Sequence, residues 1–476
     1  MPGKFKIAVS DLHLGAGYFE GGNLLEDFGG DAQFGVLLDA VVAESEREGS
    51  EVELILNGDA FEMLQVPVVE AFDPGQPYPP EAYHSSSEED SVRKMDLIIA
   101  GHRPFFAALG RFLRHGPPRR SVTFIKGNHD VNLHWLAVQD RIRQAIGATG
   151  GRRSLLVFEE RCVSREGIYI EHGNQYAEIV DRLADMEEPH DHERPGQLAL
   201  PLGSWFVMDV FNEVERERYW VDGVKPITAL VWYALAYDFA FAARSLVTLL
   251  QALPDLAEEA FREAGQEEPR LLSQLEDPDR VAEMAARYEE DLVFRTQFNA
   301  EVARLLAPPP DPAFGEPAVL RGVSDPVAMG DQVRLRVQSA LYKVASLRAS
   351  EEKARLVVFG HTHNAGVDDL PGGSTYINSG TWTWWVDFSG AGQETWRDLF
   401  EHPERFARKR RLSYVRIDYD EAGQPRGQLL TVEGDAVQPA PPPPPSPPPP
   451  APEPSFWERL ALWLRSQWAR LTGHPL

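Results

Sequence analysis

The chain predicts an α/β domain split by a large, mostly helical insertion, and three observations carry that reading. First, short apolar runs rich in Val, Ile and Leu recur at Phe5–Val9, Val52–Leu56, Val122–Ile125, Leu155–Phe158, Gly167–Ile170, Leu356–Phe359, Ser374–Ile377 and Leu412–Ile417. Near-continuous apolar runs of this length read as buried strands. Second, helical patterns such as Phe34–Glu48 and Val92–Arg114 lie between them, and alternating strand and helix argues for an α/β domain. The later runs, separated by short turns, suggest a second, more antiparallel sheet. Third, residues from about 180 to 345 read as mostly helical, with proline-rich punctuation at "APPPDPAFGEP". Gln65–Ser91, rich in Pro, Ser and acidic residues, reads as a surface loop. The resulting division is an α/β domain in two parts, 1–180 and 346–437, a helical insertion over 181–345, a proline-rich linker over 438–454 and an amphipathic helix over 455–476.

Composition narrows the function. The 476 residues hold 47 basic and 73 acidic side chains, a formal charge of −26. So acidic a surface repels polyphosphate backbones, which disfavours nucleic acid as a partner. The single cysteine, Cys162, permits no disulfide framework, fits a reducing compartment and reads as a small core residue. "MPGKFKIAVSDLHLG" has no long apolar region and leads straight into a strand, so no signal peptide is expected and the default location is cytoplasmic.

Ile227–Leu253, "ITALVWYALAYDFAFAARSLVTLLQAL", is long enough to invite a membrane span, but Asp238 and Arg244 sit near its middle. It reads as a buried helix of the insertion, with a lipid-facing or acyl-binding helix as the alternative. In "QPAPPPPPSPPPPAPEP", Gln438–Pro454, twelve of seventeen residues are proline, which makes a semi-rigid spacer of roughly 50 Å at about 3.1 Å per residue. Beyond it, Phe456, Trp457, Leu460, Trp463, Leu464, Trp468 and Leu471 share one helical face, with Arg459, Arg465 and Arg470 opposite. That pattern predicts an interfacial helix contacting a membrane surface; docking on the protein's own domain or on a partner protein is the alternative.

The residues suited to chemistry stand just past the strands. The first strand runs into "SDLHLG", with Asp11 and His13; the second into "NGDAFEM", with Asp59; the third into "KGNHDVN", with Asn128, His129 and Asp130. The strand ending at Ile170 runs into "EHGNQ", with His172, and Leu356–Phe359 runs into "GHTHN", with His361 and His363. Ligand sites form at the carboxyl edge of α/β sheets, and Gly58, Gly127 and Gly360 allow sharp turns and close approach there. In an extended segment, His361 and His363 face one pocket. Aspartate, histidine and a neutral amide without thiolate suit borderline metals such as Mn²⁺, Fe or Zn²⁺.

The ordered set Asp11-Leu12-His13, Gly58-Asp59, Gly127-Asn128-His129-Asp130, His172 and Gly360-His361-Thr362-His363 resembles the calcineurin-like metallophosphoesterases. The resemblance covers residues 5 to about 180 and 354 to about 432. It implies a four-layer αββα sandwich and two divalent metal ions, Mn²⁺ before Fe or Zn²⁺. Asp11, His13 and His363 would bind the first, Asn128, His172 and His361 the second, and Asp59 would bridge them. A hydroxide held between the two would attack phosphorus. His129 would be the general acid for the leaving oxygen, with Asp130 orienting it as a carboxylate behind a histidine does. "YINSGTWTW", Tyr376–Trp384, also resembles the family's segment after the last block, its plainer reading being a core strand and turn. The helical insertion and the membrane-seeking tail are distantly similar to the UDP-2,3-diacylglucosamine hydrolases, which cleave a lipid pyrophosphate. The chain departs from them in carrying His129 where they carry Arg, and in placing His361 189 positions after His172.

The expected activity is thus hydrolysis of a phosphomonoester, phosphodiester or pyrophosphate, with a phosphorylated substrate that could be a lipid. The alternative is a silent scaffold of the same fold, disfavoured because all seven ligands and His129 are present. His190 and His192 read as exposed loop rather than a further metal site, His102 as a packed core histidine, and Lys126 and Arg93 as solvated surface charge.

Overall fold

Two mixed sheets hold the apolar runs. The computed structural model describes residues 3–18, 22–177, 181–218, 220–223, 227–252, 271–305, 326–383, 393–406, 411–433 and 436–439. The chain divides into a unit spanning Met1–Pro441 and a second spanning Pro442–Leu476; the second, with the linker beyond Pro439 and the C-terminal helix expected over 455–476, lies outside the described residues.

The strands are β1 (Lys4–Val9), β2 (Glu51–Asn57), β3 (Arg120–Ile125), β4 (Leu156–Glu159), β5 (Cys162–Arg165), β6 (Ile168–Glu171), β7 (Leu356–Phe359), β8 (Gly366–Leu370), β9 (Ser374–Asn378), β10 (Ser413–Tyr419), β11 (Pro425–Glu433) and β12 (Ala436–Pro439). One sheet has the order β12-β11-β10-β1-β2-β3-β4 and the other β5-β6-β7-β9-β8. β1 to β4 are parallel, as are β6, β7 and β9. The later runs divide between the sheets: Leu356–Phe359 and Ser374–Ile377 lie in the second, mixed sheet, whereas Leu412–Ile417 falls on β10, which pairs antiparallel with β1 and leads β11 and β12 onto the first sheet.

Side chains alternate across the sheets as the period of two requires. Ala8, Ile55 and Ile125 share a core with Ile170, Val358 and Ile377 of the other sheet. On the opposite face, Ile7, Leu54, Val122 and Phe124 pack with helices α1 (Asp31–Glu48), α2 (Glu88–Gly101), α3 (Arg103–Phe112) and α4 (Leu136–Ala145). The far face of the second sheet, through Val357, Phe359 and Tyr376, packs on Leu341, Val344 and Ala345 of the helix Pro326–Glu351. That helix runs past residue 345, the boundary expected for the insertion.

The insertion has its own core, in which Trp220, Trp232, Tyr233, Phe241 and Phe298 are buried together with Trp396 and Leu399 from the helix Gln393–Glu401. The single helix expected over Ile227–Leu253 is two, Ile227–Tyr237 and Phe239–Ala252, and Leu253 is outside the described residues. Asp238 marks the break: its carboxylate accepts the Phe241 N–H at 3.1 Å and pairs with Arg218 at 2.9 Å, as a capping aspartate does. No helix among the described residues is long and apolar enough to cross a membrane.

Two further expectations change. Lys126 is buried, with Nζ 2.5 Å from Glu160 Oε2 and 2.5 Å from the Met186 carbonyl, so it is a paired interior charge and not a solvated one. Arg93, by contrast, lies on the surface beside Glu89. The helix expected over Val92–Arg114 divides at His102, because Pro104 in the first turn of α3 cannot continue α2. The break seats His102 between Asp31 (Nδ1 to Oδ2, 3.0 Å) and Glu26 (Nε2 to Oε2, 3.3 Å). Glu26 also accepts the N–H groups of Gly15, Gly17 and Phe28, so this cluster ties down the loop after β1.

His102 is packed, as expected, but it is held charged. Burial opposes the imidazolium, and Glu26 and Asp31 outweigh that and raise its pKa to about 9. A raised folded-state value means the stabilisation is complete below about pH 6.5 and is lost as pH rises through about 9. His102→Gln should therefore lower the unfolding free energy by on the order of 2–3 kcal/mol at pH 6 and flatten the decline between pH 6.5 and 9. Urea unfolding at a series of pH values measures both; an equally steep decline in the variant would contradict the charged pair.

Candidate metal centre

Register brings the motif blocks together. Val9 pairs with Leu56, and Leu56 with Phe124, so β1, β2 and β3 end level and release their loops at one edge. β6 and β7 do the same in the second sheet, with Ile170 opposite Val358. Beyond the strands the pairing continues: Asp11 N–H donates to the Gly58 carbonyl at 3.1 Å and His13 N–H to that of Asp59 at 2.9 Å. Gly360 N–H donates to the His172 carbonyl at 2.8 Å, and Trp382 N–H and Thr381 Oγ1 both donate to the Asp11 carbonyl. Tyr376–Trp384 is thus a strand and turn that hold Asp11 in place, with Trp384 outside the described residues.

The glycines matter because ligand side chains occupy the space their own would take. A Cβ on Gly58 would lie 2.3 Å from the His172 ring, and one on Gly127 2.1 Å from Asp59 Oδ1. A further observation is independent of any motif. Seven non-glycine residues among those described have left-handed backbone, and five of them are Asp11, His13, Asp59, His361 and His363. Such conformations cost about 1–3 kcal/mol each and persist where the surroundings over-determine them, which is typical of functional sites.

At these loops three sets of side chains could each hold a metal ion: Asp11, His13 and His363; His13, Asp59 and His129; Asp59, His172 and His361. His13 Nε2 lies 3.2 Å from His363 Nε2, and His363 Nε2 is 3.4 Å from Asp11 Oδ1. Asp59 Oδ2 is 2.9 Å from His172 Nε2 and 3.9 Å from His13 Nε2, which seats it between the sets. Asn128, in the same cluster of loops, has a buried Oδ1 with no hydrogen-bond partner. His172 Nδ1 faces the Asn57 carbonyl at 3.0 Å, so its Nε2 turns toward Asp59.

The electrostatics favour cations. Burial works against the carboxylate of Asp11, yet His172 and His363 bring its pKa down to about 2. Asp59 is lowered well below the usual range against the same burial, chiefly by His172 and His129. His172 is raised to about 10 despite burial, by Asp59 and Asp11. Two buried carboxylates held ionised by the rings around them leave a pocket that gains from positive charge.

One expectation about the proton donor is corrected. Asp130 does not orient His129. Its carboxylate is wholly buried and accepts the N–H groups of Gly127 at 2.6 Å and Ala60 at 2.9 Å, bracing the turns that carry Asn128 and Asp59. Burial, with Asp59 nearby, raises its pKa to about 7. The residue behind His129 is Glu62, whose Oε2 lies 2.6 Å from His129 Nδ1 and 2.7 Å from His13 Nδ1. Burial opposes its charge, but His129 and His13 lower its pKa to about 2. Glu62 stands in "NGDAFEM", three residues after Asp59, and that spacing was the available signal. Asp181 also escaped the sequence reading; its Oδ2 lies 3.3 Å from His361 Nε2.

Among the described residues, the insertion reaches these loops through Asp181 and residues 204–216, while Leu230–Leu246 pack in the insertion's own core. Ser204 Oγ lies 3.4 Å from the Asn128 carbonyl, Asn212 Nδ2 donates to the Leu64 carbonyl at 3.1 Å, and Gln65 Nε2 donates to Glu215 at 2.6 Å.

In comparisons with protein-family models and with curated proteins, no family model and no curated protein matches this chain. The geometry itself makes a prediction. A carboxylate behind a metal-binding histidine typically contributes about 10–100-fold in metal affinity. Glu62→Gln should therefore weaken divalent-metal retention by that factor in a chelator competition, with the circular dichroism unchanged. Retention equal to the wild type would show that Glu62 does not prepare His13 for a metal.

Proposed function

We propose that the protein is a phosphoesterase that works with two divalent metal ions, Mn²⁺ in first place and Fe or Zn²⁺ next. The observation that carries this reading is the convergence of Asp11, His13, Asp59, His172, His361 and His363 where the carboxyl edges of the two sheets meet, five of them in left-handed backbone. The donor set fits such ions: two facing imidazole nitrogens, ionised buried carboxylates, a buried amide oxygen of Asn128 without a partner, and no thiolate. Asp11, His13 and His363 would hold one ion, Asn128, His172 and His361 the other, and Asp59 both. Packing of helices, sheet, sheet and helix in that order supports a four-layer αββα metallophosphoesterase sandwich.

Bound there, two ions supply Lewis-acid stabilisation of phosphoryl charge and activation of water. The chain supplies the proton. With Nδ1 against Glu62, His129 can carry a proton on Nε2 and give it to the departing oxygen as the phosphorus–oxygen bond breaks. Glu62 stays ionised behind it and favours the imidazolium, while Asp130 fixes the turn from which the ring projects. The strongly acidic surface argues for a small or lipid-borne phosphorylated substrate over nucleic acid. Cover of the site's loops by residues 204–216 favours a substrate shaped by the insertion, for which a lipid pyrophosphate, as in the UDP-2,3-diacylglucosamine hydrolases, is the second reading. A cytoplasmic enzyme with peripheral membrane contact through residues 455–476 fits that substrate.

Activity of the Mn²⁺-loaded protein on bis-p-nitrophenyl phosphate, p-nitrophenyl phosphate and oligonucleotides tests the class, and no turnover on any of them favours the silent scaffold. Asp59→Asn should lose most activity and at least one metal by elemental analysis; two tightly bound metals with normal turnover would reject its bridging role. His129→Ala should keep both metals and lose roughly 10²–10⁴ in rate on esters with poor leaving groups. Activated aryl esters need less proton donation and should lose less, so equal losses on both would remove His129 as the acid.

A further inference from the structure

We propose that His134, Glu188 and His190 form a separate site for one transition-metal ion of the zinc type, which pins the loop 183–199 to the turn carrying Asn128 and His129. One ligand atom from each of the three residues lies within 4.8 Å of the others. The sequence alone favoured an exposed loop at His190, and its side chain is indeed 43% exposed. Its backbone, however, is fixed. His190 bridges Leu198, Ala199 N–H donates to the Pro189 carbonyl at 2.7 Å, and Asp191 N–H donates to that of Gln197 at 3.0 Å. Leu183, Met186 and Leu198 bury themselves against Val131, with Trp135 packed on them. His134 closes the short helix Val131–His134, immediately after Asp130.

The rings of His134 and His190 stand 4.9 Å apart, edge to face. His134 Nδ1 is buried and makes no hydrogen bond. Glu188 Oε2 is 3.6 Å from His190 Nε2. Imidazole and carboxylate bind zinc at about 2.0–2.2 Å, which puts donors roughly 3.4 Å apart in a tetrahedron. Small rotations of the exposed Glu188 and His190 side chains close the difference. Two nitrogen donors and one carboxylate select a borderline transition metal over Mg²⁺ or Ca²⁺, which take oxygen. Glu160 Oε2 is 3.6 Å from His134 Nδ1 but is taken by the Lys126 ammonium, so it is not counted as a donor. Water fills the remaining position.

The test uses the full chain, stripped with chelator, loaded with Zn²⁺, desalted and analysed for metal. His190→Ala and Glu188→Gln change exposed side chains and should leave the circular dichroism unaltered. Each should hold one zinc fewer than the wild type. In an Asp11→Asn/His363→Ala background, which removes two side chains proposed for the first ion of the other cluster, adding His190→Ala should still remove one zinc. Cleavage after Glu193 by a glutamyl endopeptidase gives a second readout: zinc should slow it at least tenfold in the wild type and not in His190→Ala. Equal zinc contents with and without His190, in either background, or cleavage indifferent to zinc, overturns the site.

Discussion

The buried carboxylate of Asp59 is the constraint around which the rest is arranged. An isolated ion at that depth would be penalised by several kcal/mol. It stands because Oδ1 accepts the His129 N–H at 2.8 Å, Oδ2 meets His172 Nε2, and His13 lies within 3.9 Å. Those three partners come from three different motif blocks. They converge only if β1, β2 and β3 end level and β6 lies in the opposing sheet behind them. Asp11 repeats the logic, since its carboxylate accepts the His361 N–H at 3.0 Å. Each block therefore satisfies a buried charge of another, and the left-handed turns persist because relaxing one would strand a carboxylate elsewhere.

How much of this could be read from the chain depends on the range of each interaction. Strand positions were legible because a buried parallel strand is a local apolar run, and the motif residues because each stands just past one. The assignment of β10 to β12 to the first sheet was not legible, because strand partners are chosen by long-range packing that leaves no local trace. The break at His102 was half-legible: Pro104 announces it, but the reward for breaking there is the Glu26 and Asp31 pair, both distant in sequence. Lys126 misled for the same reason. A lysine in a polar stretch reads as solvated until Glu160 and the Met186 carbonyl are seen around it. Asp130 and Glu62 exchanged roles because adjacency in sequence suggests a partner that geometry does not supply. Residue 130 points back into the turn, while residue 62, from another block, reaches the ring.

The insertion was legible as helical and illegible as a domain. Its core borrows Trp396 and Leu399 from a helix after the last motif block, with the Tyr233 and Trp396 rings stacked 3.5 Å apart. The helix Pro326–Glu351 covers the second sheet on its way back. Cutting the chain at the sequence boundaries would therefore expose apolar surface on both sides.

This shared packing bears on how the insertion acts on the centre. Residues 62–65 are held from three directions. Leu64 and Gln65 bond to Asn212 and Glu215 of the insertion. The buried Lys94 ammonium of α2 donates to the Met63 carbonyl at 3.0 Å and to that of Tyr83 at 2.6 Å. Glu62, at the head of the segment, faces His13 and His129. A displacement of residues 204–216 cannot leave Leu64 and Gln65 without disturbing the carboxylate two or three positions away. The insertion thus shares its footing with the groups that orient one candidate ligand and the candidate proton donor. On the proposed function, substrate contacts made on the insertion would be transmitted to the centre through a peptide segment four residues long.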